Sequence, residues 1–140
     1  MFAELRKPYL LAHRGGADLA PMNTMAAFEV ADAIGVDFLD IDVHLTRDGH
    51  VVGIHDSTVD ATTNGRGRVD AYTLAELQAL DAGYRFQDLH GEYNYRGKVS
   101  AFLRLRKSLK SMPRSTTFTS RLKIHTPKAN PRASKRNYGN

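Results

Sequence analysis

Every acidic residue of this chain lies in its first 97 positions, and that division decides how much of the chain can fold as one unit. Met1 to Gly97 carries 8 Lys and Arg against 15 Asp and Glu, a balance of −7. Lys98 to Asn140 carries 12 Lys and Arg and not one acid, a balance of +12. The net charge of +5 is thus the sum of two unlike segments and cannot be read as a property of one surface. Before Gly97, short apolar runs alternate with turn residues. After it, Ser, Thr, Lys and Arg recur without a helical or strand period and Pro113, Pro127 and Pro131 interrupt them. Residues 1–97 are therefore expected to carry the fold, and 98–140 to form a basic, largely disordered tail.

At 140 residues the chain has the size of one domain, well short of the ~250 residues of a typical (β/α)₈ barrel. It has no cysteine, which excludes disulfides and thiolate metal sites. The apolar Tyr9–Ala12 is followed at once by polar residues, so neither a signal peptide nor a transmembrane segment is expected, and a cytoplasmic location is.

Tyr9 to Ala12 reads as a buried strand with His13-Arg14-Gly15-Gly16 as its exit turn, the glycines allowing backbone close to a ligand. Asn23 or Thr24 can cap a helix whose apolar face is Met25, Phe28, Ala31 and Ala33-Ile34, and Gly35 stops it. A second strand spans Val36 to Val43, Asp48-Gly49 signals a hairpin, and Val51 to Ile54 forms a third strand. Thr62 to Val69 is a glycine-punctuated loop, and Thr73 caps a helix over Leu74–Leu80 with Glu76 at capping-box spacing.

The chemistry collects at the strand ends. In an extended strand Asp40 and Asp42 share one face while Ile41 points the other way. Two adjacent carboxylates repel unless something neutralises them, and a hard cation such as Mg²⁺ or Ca²⁺ does so through oxygen ligands. His13 and His55 each follow a short apolar run, and two imidazoles flanking a phosphate ester can take and give a proton near neutral pH. Arg14 offers a planar fork for two phosphate oxygens. Taken singly, each of these is more often a strand cap, a surface cation or a solvated strand end. Their joint occurrence at strand ends within one short span is what points to a site.

The stretch from Leu10 to Gly97, with its H-R-G, x-N-T, D-x-D-V, D-G and H-D elements at these spacings, closely resembles the N-terminal part of glycerophosphodiester phosphodiesterases. The resemblance implies an α/β fold, about three strands from the start of a (β/α)₈ TIM barrel. It also implies hydrolysis of a small-molecule glycerophosphodiester to glycerol 3-phosphate and an alcohol, with a divalent cation, Mg²⁺ or Ca²⁺, as cofactor. By resemblance His13 and His55 are the acid/base pair, Arg14 holds phosphate, and Asp40 and Asp42 bind the metal. The glycerol hydroxyl would attack phosphorus, and water would open the cyclic phosphate that results.

Three departures stand out. The family usually has Glu at the position of Asp40, and its Pro-Glu-Asn-Thr appears here as Pro21-Met22-Asn23-Thr24, which removes a carboxylate near Arg14. A further metal carboxylate, in an Ile-Glu-Ile-Lys-like segment, is missing. It can be recovered in another reading frame. If Ala101–Ser108 is encoded GCA TTC CTA CGC TTG AGG AAG TCC, reading from the third base gives Ile-Pro-Thr-Leu-Glu-Glu-Val, the family's phrase after Tyr-Arg-Gly. The same shift over Thr119–Pro127 permits Ile-Glu-Ile-Lys-Asp-Thr-His-Pro. Two phrases in register point to a single-base deletion near Val99, which leaves 1–97 as a truncated domain and 98–140 as out-of-frame translation. Such a fragment cannot close a barrel and is expected to be inactive. The competing readings are a basic-tailed binder of nucleic acid or an anionic surface, and a related phospholipase-D-like lysophospholipid hydrolase. The tail has few aromatics for base stacking and no recognisable fold, so no specific nucleic-acid partner is expected.

Overall fold

The computed structural model describes residues 8–99 and 123–124. The expected disorder of residues 98–140 falls almost wholly outside these. Within that stretch, Lys123–Ile124 forms a short strand.

The chain opens with a βαβ unit. β1 (Leu11–Ala12) runs parallel to β2 (Phe38–Leu39), Leu11 beside Phe38 and Ala12 beside Leu39, and α1 (Met25–Ile34) is the crossover that parallel pairing requires. β3 (Asp42–Leu45) pairs antiparallel with β4 (Val51–Gly53) and parallel with β5 (Lys123–Ile124). A short 3₁₀ turn, Val69–Ala71, precedes α2 (Leu74–Gln78).

α1 forms as its sequence dictates. The Thr24 hydroxyl accepts from the Ala27 amide at its N-terminus, and Gly35, with φ of 81°, closes the C-terminus by donating to the Ala31 and Asp32 carbonyls. Its buried face is Ala27, Phe28 and Ala31, whereas Ala33 and Ile34 face solvent. Val36, Leu39, Ile41 and Val43 complete one core cluster with them. A second cluster joins Val52 and Ile54 to Val59, Val69, Leu74 and Leu77.

Two expectations about the strands need correction. Tyr9–Ala12 is not buried throughout: Leu10 and Leu11 are about half exposed, because β1 has one partner strand among the described residues. The strand expected over Val36–Val43 is two strands. Val36 instead donates to the Ala31 carbonyl and finishes the helix. The Asp40 amide still bonds to the Ala12 carbonyl at 3.0 Å, and by Asp42 the chain has changed partner to β4. The hairpin at Asp48-Gly49 stands as expected, with Gly49 at φ of 78° and the Thr46 amide on the His50 carbonyl at 2.9 Å.

Gly15 has a packing role. Its φ is 78°, and a Cβ there would meet the Phe28 ring at 2.5 Å, so the glycine lets the turn lie flat on α1.

The hairpin is tied to α2 by Asp48, whose carboxylate accepts from the Thr46 hydroxyl at 2.6 Å and the Leu74 amide at 3.0 Å. The Thr46 bond above all, with the Leu74 amide, holds the Asp48 carboxyl below its usual range. Glu76 is lowered too, by the Thr73 amide and then the Thr73 hydroxyl of the capping box. With folded-state values below the unfolded ones, the unfolded chain binds protons first as pH falls. Stability should therefore be level above about pH 4.5 and drop as pH falls through the depressed range. Urea titrations across that range check it, and Asp48→Asn, which keeps an acceptor but loses the ionisation, should make the drop shallower.

Candidate functional site

The exit from β1 is a tight 3₁₀ turn, His13–Gly15, in which Arg14 takes φ of 50° and so departs from helical geometry. That left-handed backbone turns His13 and Arg14 toward the junction of β2 and β3. There His13 Nε2 lies 4.0 Å from an Asp40 oxygen, and Arg14 Nε lies 3.6 Å from Asp42 Oδ2. Ile41 between them is buried at 2 % exposure, so the two carboxylates do share a face.

Exposure divides the pairs. His13 is open to solvent at 65 %, whereas the Arg14 and Asp42 side chains are 24 and 17 % exposed. Arg14 Nε and Asp42 Oδ2 are each buried, and neither makes a hydrogen bond. At 3.6 Å the contact is an ion pair without a directed bond, and both atoms keep unused capacity for a phosphate oxygen or a cation.

His55 arrives from the other direction. The Ile54 amide donates to the Asp42 carbonyl at 3.0 Å and carries the antiparallel register one residue past β4. The next residue, His55, therefore follows directly after the pairing with Asp42. His55 Nδ1 lies 2.7 Å from Asp56 Oδ1, and its carbonyl contacts His44 Nε2 at 3.2 Å. A carboxylate accepts only, so a neutral His55 that donates Nδ1–H keeps its lone pair on Nε2. Asp56 was visible in the sequence only as part of the H-D pair; its role in orienting the ring is a structural finding.

Of the two candidate caps of α1, Thr24 takes the role, and Asn23 has another. Asn23 instead sits at φ of 57°, 1 % exposed, with its amide on the Arg14 carbonyl at 2.9 Å. Its Oδ1 accepts from the Asp42 amide at 3.3 Å. It thereby joins the cation turn to the carboxylate strand. The usable signal was the residue type, since asparagine tolerates left-handed backbone better than other side chains. Met22, next to it, receives an Arg14 N–H on its sulfur at 3.7 Å.

Residues 13–138 match the model of the glycerophosphoryl diester phosphodiesterase family. A glycerophosphodiester phosphodiesterase of Caldanaerobacter subterraneus is 52 % identical over 80 residues, which is 57 % of this chain and 33 % of that one. Among solved structures, the glycerophosphoryl diester phosphodiesterase domain of a Mycobacterium tuberculosis protein superimposes with a TM-score of 0.76 at 31 % identity, covering 84 % of this chain and 44 % of that one. An Oleispira antarctica phosphodiesterase in complex with the product sn-glycerol-3-phosphate superimposes with a TM-score of 0.68 at 30 % identity, covering 84 and 45 %. The chain spans about a third of the length of the curated relatives it matches first. The fold is accordingly the α/β fold of these barrel proteins, represented by part of their length.

Asn23→Ala should leave the Asp42 amide without a partner and force alanine into left-handed backbone. Loss of the bond costs about 1–3 kcal/mol, and the backbone adds about 1 kcal/mol. Asn23→Gly should recover the backbone part alone. Chemical-denaturation midpoints of the two variants, compared with the parent, check both values.

Proposed function

Because this chain belongs to the glycerophosphoryl diester phosphodiesterase family, we propose that its strand-end cluster is the phosphate-handling half of a glycerophosphodiester hydrolase site. The products are sn-glycerol 3-phosphate and an alcohol. The observation that carries this is the double pairing of His13 with Asp40 and Arg14 with Asp42; the β3–β4 ladder brings the backbone next to His55 against Asp42.

Arg14 holds phosphate oxygens through its planar fork. The Asp56 contact leaves Nε2 of His55 free to receive the proton of the attacking glycerol hydroxyl as its oxygen bonds to phosphorus. His13, the more exposed imidazole, gives a proton to the alcohol oxygen as its bond to phosphorus breaks. Water then opens the cyclic phosphate with the two roles exchanged. Family members generally depend on a divalent cation. Asp40 and Asp42 fit one, since Asp42 Oδ2 is a buried oxygen with no hydrogen bond, and Mg²⁺ is commonly held by one or two carboxylates with water and phosphate completing the shell. Such an ion supplies charge neutralisation at the phosphoryl oxygens and acidifies the hydroxyl. Among the described residues no group of three metal-ligating side chains occurs, so further ligands come from water, substrate or residues outside them.

In this proposal the basic tail is out-of-frame translation after a single-base deletion near Val99. The alternative frame supports this reading by supplying an Ile-Glu-Ile-Lys phrase over Thr119–Lys123, and β5 beside β3 offers a strand position next to Asp42. The family match continues to residue 138, across the basic stretch, whereas the curated relatives align over 80 and 75 residues. Sequencing the DNA across the Tyr95–Ala101 codons decides between a restored frame and the present one.

The 140-residue chain should hydrolyse glycerophosphocholine in Mg²⁺ at least about a thousandfold more slowly than a frame-restored protein. Turnover near the usual ~10 s⁻¹ of enzymes would overturn the fragment reading. In the restored protein His13→Asn and His55→Asn should each lower kcat by about 10²–10⁴. Arg14→Lys should raise KM, because an ammonium cannot replace the bidentate fork. Unchanged kinetics in the two histidine variants would remove them from the chemistry.

A further inference from the structure

A groove of about 330 Å³ opens beside the cluster. One wall is the segment after the cation turn, with Ala17, Pro21 and Met22; the facing wall includes Ala61, Phe86 and Leu89. Its volume lies within the range of small-ligand sites. Two features relate it to the phosphate end. Met22 is common to both, lining the groove while its sulfur meets Arg14 at 3.7 Å. The groove therefore begins where Arg14 ends. Leu89, at the far wall, is 76 % exposed, the most exposed of the large apolar side chains among the described residues.

That exposure is held in place by structure. Asp88 accepts from the His90 amide at 2.8 Å and the Glu92 amide at 2.9 Å, and the Asp88 amide bonds back to the Glu92 carbonyl at 3.0 Å. A closed turn thus presents Leu89. Phe86 behind it is fixed by an edge-to-face contact with Tyr95, the centroids 5.4 Å apart. Asp18 and Arg85 also line the groove and bring charges of opposite sign, so it carries no net charge of its own. Thr62 and Gln87 line it as well, but apolar atoms make up the larger part of its surface, and such a surface without net charge favours an alkyl group.

Resting on the phosphodiesterase reading above, we propose that this groove is the subsite for the alcohol side of the diester and that it favours alcohols bearing an alkyl chain, with Met22 and Leu89 as specificity residues. The phosphate would sit on Arg14, and the alkoxy substituent would run past Met22 toward Phe86 and Leu89.

Binding tests this without requiring turnover. The probes are sn-glycero-3-phospho esters of methanol, butanol and hexanol, measured by titration calorimetry on the full chain. All three carry the same single charge, so attraction to the basic tail cancels between them. Affinity should rise up to roughly fourfold for each methylene that enters the groove. Leu89→Gln, at a position too exposed to disturb the core, should reduce that rise. Ala61→Phe, which fills the groove from its exposed rim, should abolish it. Equal affinity for the three esters in the parent chain would overturn the alkyl subsite while the phosphate reading stands. A rise with chain length that both variants retain would place the alkyl chain elsewhere and also overturn it. If the methyl ester binds no differently to Arg14→Ala than to the parent, the phosphate reading fails and the subsite falls with it.

Discussion

The site depends on one buried asparagine. Through its backbone Asn23 holds the carbonyl of Arg14, and through its side chain it holds the amide of Asp42, so the cation turn and the carboxylate strand are fixed to the same residue. Neither the turn after β1 nor the junction between β2 and β3 is regular secondary structure, and neither could keep its own geometry by ladder bonds. A side chain about as long as one peptide unit does it instead. The left-handed backbone that puts Asn23 in this position is tolerated by few other side chains, and Gly53 passes close enough that a Cβ there would meet the Asn23 carbonyl at 3.2 Å.

Given that clamp, the electrostatics follow. Asp40 and Asp42 repel one another, and each has a basic side chain in reach, but the pairs differ in kind. His13–Asp40 is long and open to solvent, where such contacts contribute little to stability. Arg14–Asp42 is mostly buried yet lacks a directed bond, so desolvation is incompletely offset. A buried pair left unsatisfied on both sides makes poor sense as a stabilising device. It makes good sense as a place where a ligand completes the bonding, and on the strand that follows the His55 ring is oriented by Asp56.

Much of this was legible beforehand, because alternation is a strong constraint. Ile41 had to be buried if Asp40 and Asp42 were to share a face, and it is. The Thr24 cap, the Gly35 stop, the Asp48-Gly49 hairpin and the Thr73–Glu76 capping box are local motifs, and local motifs survive folding. What could not be read was which partner a segment would choose. The apolar run from Val36 to Val43 looks like one strand because nothing in it marks the change from β1 to β4. Ala27 in place of Ala33 on the buried helix face, and Gly15 against Phe28, depend on how α1 lies across the turn, which periodicity alone leaves open. The charge break at Gly97 was legible as composition, but composition could not foresee that Lys123–Ile124 pairs with β3.

In the proposed function the chemistry and the selectivity fall on different parts of the chain. His13, Arg14, Asp40, Asp42 and His55 all lie within a residue or two of β1, β2, β3 or β4, and their backbones are linked by ladder bonds or by Asn23. The far wall of the groove belongs to a segment without regular secondary structure, ordered by its own polar contacts. Hydrogen bonds from the Glu92 and His90 amides hold the Asp88 carboxyl below its usual range, and the Arg96 guanidinium lies over the Tyr93 ring at 3.8 Å. Such a segment can change its exposed side chains without moving the strand ends, since no ladder bond runs through them. Reacting groups need positions held to a fraction of an ångström, whereas an alkyl substituent needs only a surface of the right polarity. Strand ends suit the first demand and an ordered surface turn the second.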